Sequence, residues 1–207
     1  MKQIITILFA IAILSGTAWG QNNNSKVDPD QKIAVKLNGA ALLGIVNPAV
    51  ELKVHEEFSV QLEGIGIFYP YGFPGTEAPL NLGATFVEAH WYPKATFDGF
   101  YIGPNVGWGV WRLSKFLVPA YWGTYPDSYQ VGTNIMMGLT LGYQFCFGKR
   151  WAVDLAWGLG YSISAYEGHR TSDGSMYVGW NHSGEWLPAY KGAVNIVYRW
   201  STHTHPV

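Results

Sequence analysis

The sequence predicts an all-β protein, an eight-stranded antiparallel up-and-down transmembrane β-barrel, on three observations. The first is the stretch Trp151 to Ala165, WAVDLAWGLGYSISA. Taken at every second residue it gives Trp151, Val153, Leu155, Trp157, Leu159, Tyr161 and Ile163 on one side, and Ala152, Asp154, Ala156, Gly158, Gly160, Ser162 and Ser164 on the other. Successive side chains of a strand point to opposite faces, so this strand has one large apolar face and one small, polar face. A soluble sheet turns its apolar face inward and carries charged residues outside. A wall of small residues suits the inside of a narrow closed barrel, and a wall of Trp, Leu and Tyr suits lipid. The second observation is composition: charged residues make up only 13%, aromatics reach 16%, and 25 of 207 residues are Gly, against a typical quarter charged. The third is where the few charges fall along the strands.

The length allows one domain. Residues 1–20 read as a secretory signal, with Lys2, an apolar run from Ile4 to Leu14 and small residues before Gln21. Residues 21–31 read as a flexible polar lead, 32–200 as the barrel and 201–207 as a tail. No later segment reaches the roughly 18 apolar residues of a transmembrane helix. Cys146, the single cysteine, excludes an intramolecular disulfide and lies far from any lipidation position; it reads as a small wall residue. A formal net charge of −1 gives no global field to recruit nucleic acid.

The first strand is expected over Lys32–Val46, ended by an Asn47-Pro48 turn, and the second over Ala49–His55, with Glu51 and Lys53 inward. The third, Phe58–Tyr69, puts Phe58, Val60 and Leu62 out and Gln61 and Glu63 in. The alternation then inverts, with Gly64 and Gly66 on the apolar side and Ile65 and Ile67 on the polar side, and a bulge at Gly64 would restore it. The fourth strand, Gly83–Tyr92, turns Glu88 and His90 inward. The fifth, Gly99–Leu113, sets Phe100, Ile102, Val106, Trp108 and Val110 against Tyr101, Gly103, Asn105, Gly107 and Gly109, with Pro104 removing a ladder donor. The sixth runs over Gly132–Phe147 and the seventh over Trp151–Ala165. Tyr166–Trp186 reads as the longest polar loop. The eighth, Leu187–Trp200, sends Tyr190, Val194, Ile196, Tyr198 and Trp200 out and Lys191, Asn195 and Arg199 in.

The connections at Glu56, Pro93 and Gly148 are short and those at Pro70, Lys115 and Tyr166 long, as for a barrel with periplasmic turns and extracellular loops; only the first, at Asn47, is short where a long one is expected. A Lys or Arg facing lipid at mid-membrane costs about 2–4 kcal/mol, so the outer face should be nearly free of charge. On this assignment only Arg112, near the loop end, faces out, while Lys36, Glu51, Lys53, Glu63, Glu88, Asp154, Lys191 and Arg199 face in.

The motifs Glu88-Ala89-His90-Trp91-Tyr92-Pro93, Phe97-Asp98-Gly99-Phe100-Tyr101-Ile102-Gly103 and Gly148-Lys149-Arg150-Trp151 give the chain a further handle. Through them it resembles the small eight-stranded outer-membrane barrels of the OmpA and OmpX type, and within that class it is most similar to an uncharacterised family of short exported barrels of unknown function. The resemblance spans roughly Lys32 to Trp200 and implies insertion into a Gram-negative outer membrane by the barrel-assembly machinery. Tyr198 and Trp200 match the alternating aromatics of a C-terminal insertion signal, whereas Asn195 stands where that signal carries Gly and seven residues follow Trp200.

Buried charges must pair, so Lys36, Glu51, Lys53, Glu63, Glu88, His90, Asp154, Lys191 and Arg199 are expected to form a charge network that plugs the lumen. A polar path for ions or small solutes is the alternative. Glu88 and His90, with Asp154 nearby, also have the make-up of a carboxylate-oriented base, and Ser162 or Ser164 that of a nucleophile, which would make an outer-membrane lipid- or peptide-modifying enzyme; no spacing is diagnostic of one. His169 and His182 with Asp173 and Glu185, and His203 with His205, match no known metal spacing. Tyr121, Trp122 and Tyr125 form the candidate recognition surface of the loops. No Gly-rich phosphate loop joins a strand to a helix, and no cofactor is expected. The sequence therefore points to a filled outer-membrane barrel with a structural or adhesive role, partnered by membrane lipid, lipopolysaccharide and an extracellular protein or glycan. A soluble lipocalin-like carrier would need the bulky apolar faces turned into a lumen too narrow for them.

Overall fold

The computed structural model describes residues 27–72, 79–114 and 127–201. The signal segment, most of the lead, the tail histidines His203 and His205 and the loop aromatics Tyr121, Trp122 and Tyr125 lie outside them. The described residues form nine antiparallel strands: β1 (Gln31–Asn38), β2 (Ile45–Val46), β3 (Pro48–Lys53), β4 (Phe58–Tyr69), β5 (Leu80–Trp91), β6 (Gly99–Leu113), β7 (Ser128–Phe147), β8 (Trp151–Arg170) and β9 (Met176–Ser201). From β3 to β9 each strand pairs with its neighbour in sequence, β1 lies between β3 and β9, β2 pairs with β4, and the β4–β5 ladder closes the sheet into a ring. No helix among the described residues is long and apolar enough to cross a membrane.

The expected count of eight becomes nine because the first strand stops early. Asn38 caps a single 3-10 turn over Gly39–Leu43 by accepting from the Ala40 amide at 2.8 Å, and Gly44 ends it in the left-handed region at φ 74°. Side-chain capping at one end and a glycine at the other are the local signals that stop a strand here. The chain then returns as β2 and β3, and Asn47-Pro48 is a break within that return rather than a turn. β2 and β3 meet β4 in one continuous register, Val46 opposite Gly66 and Ala49 opposite Glu63, so the ring has eight positions built from nine segments.

That same register removes the expected bulge at Gly64. The β4–β5 ladder runs unbroken from Phe58 opposite Trp91 to Tyr69 opposite Leu80. Ile65 and Ile67 therefore point inward and Gly64 and Gly66 outward. The alternation does not slip; the interior itself changes from polar to apolar toward the loop end.

Two corrections concern β8 and β9. Tyr166–Trp186 is not a loop: both strands continue to a five-residue connection, with Ala165 opposite His182. Tyr190 does not face out. The β8–β9 register shifts between Gly158 and Gly160, which turns Tyr190 inward to donate to Asn105 Oδ1 and to stack on Phe86 with centroids 5.8 Å apart. Pro104 does interrupt pairing: the β5–β6 ladder skips from Glu88 opposite Asn105 to Trp91 opposite Ile102.

The inward glycines are sockets for the side chains that fill the ring. A Cβ on Gly142 would stand 2.1 Å from the Tyr101 ring, one on Gly158 2.3 Å from Lys191 Cγ, and one on Gly107 2.3 Å from the Phe86 ring. Outside, Leu62 is 57% exposed and Trp108 55%, while Glu51 and His90 inside are 0% exposed.

Candidate functional site

The interior divides into a charged layer toward the short turns and an apolar mouth toward the long connections. Glu51, on β3, is the centre of the charged layer. It receives Lys36 Nζ at 2.8 Å, His90 Nδ1 at 2.9 Å, the Tyr92 hydroxyl at 2.7 Å, the Gln144 amide at 3.3 Å and the Ser59 hydroxyl. Lys36 also reaches Asp154 at 2.9 Å, and Asp154 accepts from Tyr101 at 2.9 Å and Asn195 at 3.3 Å. His90 Nε2 lies 3.2 Å from Glu88, which takes the Thr140 hydroxyl and shares the Lys191 ammonium with Glu63. Gln61 Nε2 donates to both Glu63 and Glu88, and Asn47 Nδ2 donates to Glu63 at 2.9 Å.

Seven of the nine charged positions expected to form a network are thus joined: Lys36, Glu51, Glu63, Glu88, His90, Asp154 and Lys191. Both nitrogens of His90 face carboxylate oxygens, and only the doubly protonated ring donates at both. Two ammonium groups and that imidazolium then meet four carboxylates, and the neutral donors carry the remainder. Buried charges are tolerated only when ion pairs and neutral donors satisfy them in this way.

Lys53 and Arg199 stand apart from it. Lys53, at the end of β3, bonds Glu56 at 2.9 Å and the Pro29 carbonyl at 3.2 Å, and its hydrogen bond holds the exposed Glu56 carboxyl below its ordinary range. Arg199 is fully buried and addresses main chain: Nη1 donates to the Phe97 carbonyl at 2.9 Å and lies 3.3 Å from Cys146 Sγ. Among the described residues Phe97, at φ 71°, is the non-glycine residue in the left-handed region. Its ring packs with Ala34, Ala152 and Val197, and this packing with the Arg199 bond holds a conformation that a bulky residue otherwise avoids. Together they close the turn end of the ring.

The base-and-nucleophile arrangement is not assembled. Both His90 nitrogens are taken by Glu51 and Glu88, Ser162 accepts from Asn134 at 3.1 Å, and Ser164 lines the mouth. His169 is held by Glu167 at 3.0 Å and stacks on Tyr129, His182 sits edge-on to Trp180, and Asp173 accepts from Ser175. Among the described residues no three of His, Cys, Asp and Glu converge as a metal site.

Sequence reasoning turned some neutral members of the network inward, Tyr101, Thr140 and Gln144 among them, but joined none of them to it. Tyr92, Tyr101, Thr140, Gln144, Ser59 and Asn47 share the inward parity of the charged residues, and that parity was the available signal. It also missed a cavity of about 310 Å³ at the loop end. Ile65, Leu82, Ala84, Phe86, Trp111, Leu113, Met136 and Leu187 give it an apolar wall, Asn134, Ser162, Ser164 and Glu185 a polar one, and the Phe86–Tyr190 stack forms its floor. The Lys191 ammonium stands 5.2 Å from the Phe86 ring, so that ring separates the cavity from the charged layer.

Comparison with curated proteins and with solved structures returns no match. The family model described as "Protein of unknown function (DUF3575)" matches residues 5–200, and the chain belongs to that family.

Proposed function

We propose that the protein is an outer-membrane β-barrel whose interior is filled, and that it works as a binding protein at its loop end. One observation carries this reading, the inversion of polarity across the wall. Lys36, Glu51, Glu88, His90 and Asp154 are buried inside, while Leu52, Leu62, Val106, Trp108, Leu139 and Ile196 are exposed outside. In water this arrangement exposes the wrong surface; in lipid it buries it. Outward Phe58, Trp91, Phe145, Trp151 and Trp200 near the short turns supply the aromatic girdle of a membrane interface. A ring of eight positions has an interior just wide enough for side chains to fill, and the charged layer occupies it. This counts against a solute channel, and the double engagement of His90 counts against an acid–base enzyme there.

The test is refolding the mature chain with phospholipid vesicles and floating them. The expected result is co-flotation that survives alkaline extraction, with heat-modifiable migration on a gel. A folded protein that stays in the aqueous fraction would overturn the proposal.

A further inference from the structure

The mouth cavity lies behind the weakest section of the wall. The β1–β9 ladder ends at Asn38 opposite Asn195, yet β9 extends from there back to Met176. Along that length β9 has no strand partner on its β1 side among the described residues. The wall there consists of the 3-10 turn over Gly39–Leu43 and the two-residue β2, which itself pairs with β4. β9 carries Pro188 in this stretch, a residue without a ladder donor, within its bulge against β8. Leu187 from β9 and Ile65 from β4 both line the cavity, so the cavity faces the gap between those two strands. Leu43, Val46 and Trp186, beside the gap, are exposed.

Given the membrane reading above, on which this rests, we infer that one hydrocarbon chain of an outer-leaflet lipid enters sideways between β9 and the 3-10 turn and lies in the mouth cavity. The chemistry of the lining selects that occupant. Leu82, Ala84, Phe86, Met136 and Leu187 offer a chain an apolar wall, and the serines and Asn134 opposite match the ester or amide at its polar end. The volume is at the low end of the roughly 300–1,000 Å³ of small-molecule sites, which fits one chain and excludes a whole lipid. The unpaired edge supplies an entry from the leaflet that does not pass the charged layer.

The experiment uses the mature protein in nanodiscs containing a phospholipid with a diazirine at the end of one acyl chain, irradiated and mapped by mass spectrometry. The expected label falls on outward residues such as Val106 and Leu139 and, in addition, on the inward peptides holding Ala84–Phe86 and Met136. Ala84→Trp, which fills the cavity, should reduce the inward label at least tenfold and leave the outward label unchanged. Leu187→Trp fills it from the opposite wall and serves if the first variant does not fold. Outward label with no inward label, or inward label indifferent to both variants, would overturn the inference while leaving the membrane reading intact. Absence of outward label from a folded protein would instead remove the membrane reading.

Discussion

At the scale of single residues, the interior separates two kinds of lysine. Lys191 is buried against Glu63 and Glu88, and Lys53 sits at a rim with an exposed partner. Removing one partner of a buried pair leaves an uncompensated charge and costs about 3–5 kcal/mol, whereas an exposed pair contributes about 0–1 kcal/mol. Lys191→Met should therefore lower the unfolding free energy by roughly the first amount and Lys53→Ala by no more than the second, as measured by urea titration of the protein in lipid vesicles. Equal effects would show that Lys191 is solvated. The glycine sockets make a sharper case. Gly142→Ala puts a methyl within 2.1 Å of the Tyr101 ring, whose hydroxyl serves Asp154. Overpacking of this kind typically costs about 1–3 kcal/mol, and Tyr101→Phe should relieve it only in part, because ring carbons at 2.1 and 2.4 Å clash as well as the hydroxyl at 2.3 Å.

At the scale of strands, what was legible depended on contrast between the two faces. β6 lies where its alternation puts it, Gly99–Leu113, because lipid-type and socket-type residues alternate along its middle. β4 has the expected bounds but not the expected bulge, which the pattern predicts because Ile65 and Ile67 fall on the side that carries Gln61 and Glu63. Period-two patterning shows that faces differ and cannot show that one face changes character along its length. For the upper parts of β8 and β9 the sequence predicts a loop, for a related reason. From Glu167 to Ser175 both faces are polar or Gly, and after it the apolar set Met176, Val178 and Trp180 is cut off by His182 and Gly184 on the same face, so the contrast is too short to report a strand. The connection at Thr171–Ser175 extends beyond the ring, tied by Asp173 to Ser175, while Lys149 and Arg150 at the opposite end accept bonds from Gln31 and the Arg199 main chain. An eight-residue protease site inserted after Asp173 should leave heat-modifiable folding intact and be cut from outside the cell. The same insertion after Lys149 should abolish folding. Loss of folding in both, or neither, would contradict this division of the ends.

At the scale of the whole molecule, the assignment of strand faces was the most legible part of the sequence. It rested on where charge falls: Arg112, over the Tyr129 ring, and Glu167, on the part of β8 expected to be loop, are outward exceptions near the loop end. What stayed hidden was how the interior is divided, because the network's neutral members and the mouth cavity arise from side chains of six or more strands brought to one level by the register. On the proposed reading, a bonded charge layer fills this interior within a membrane-spanning wall. Single-channel recording in planar bilayers, on protein shown to insert, tests it most directly. No steady conductance is expected from the native chain. Steady ohmic steps whose ion selectivity changes in Glu88→Gln would contradict it and make the charged layer a conducting path.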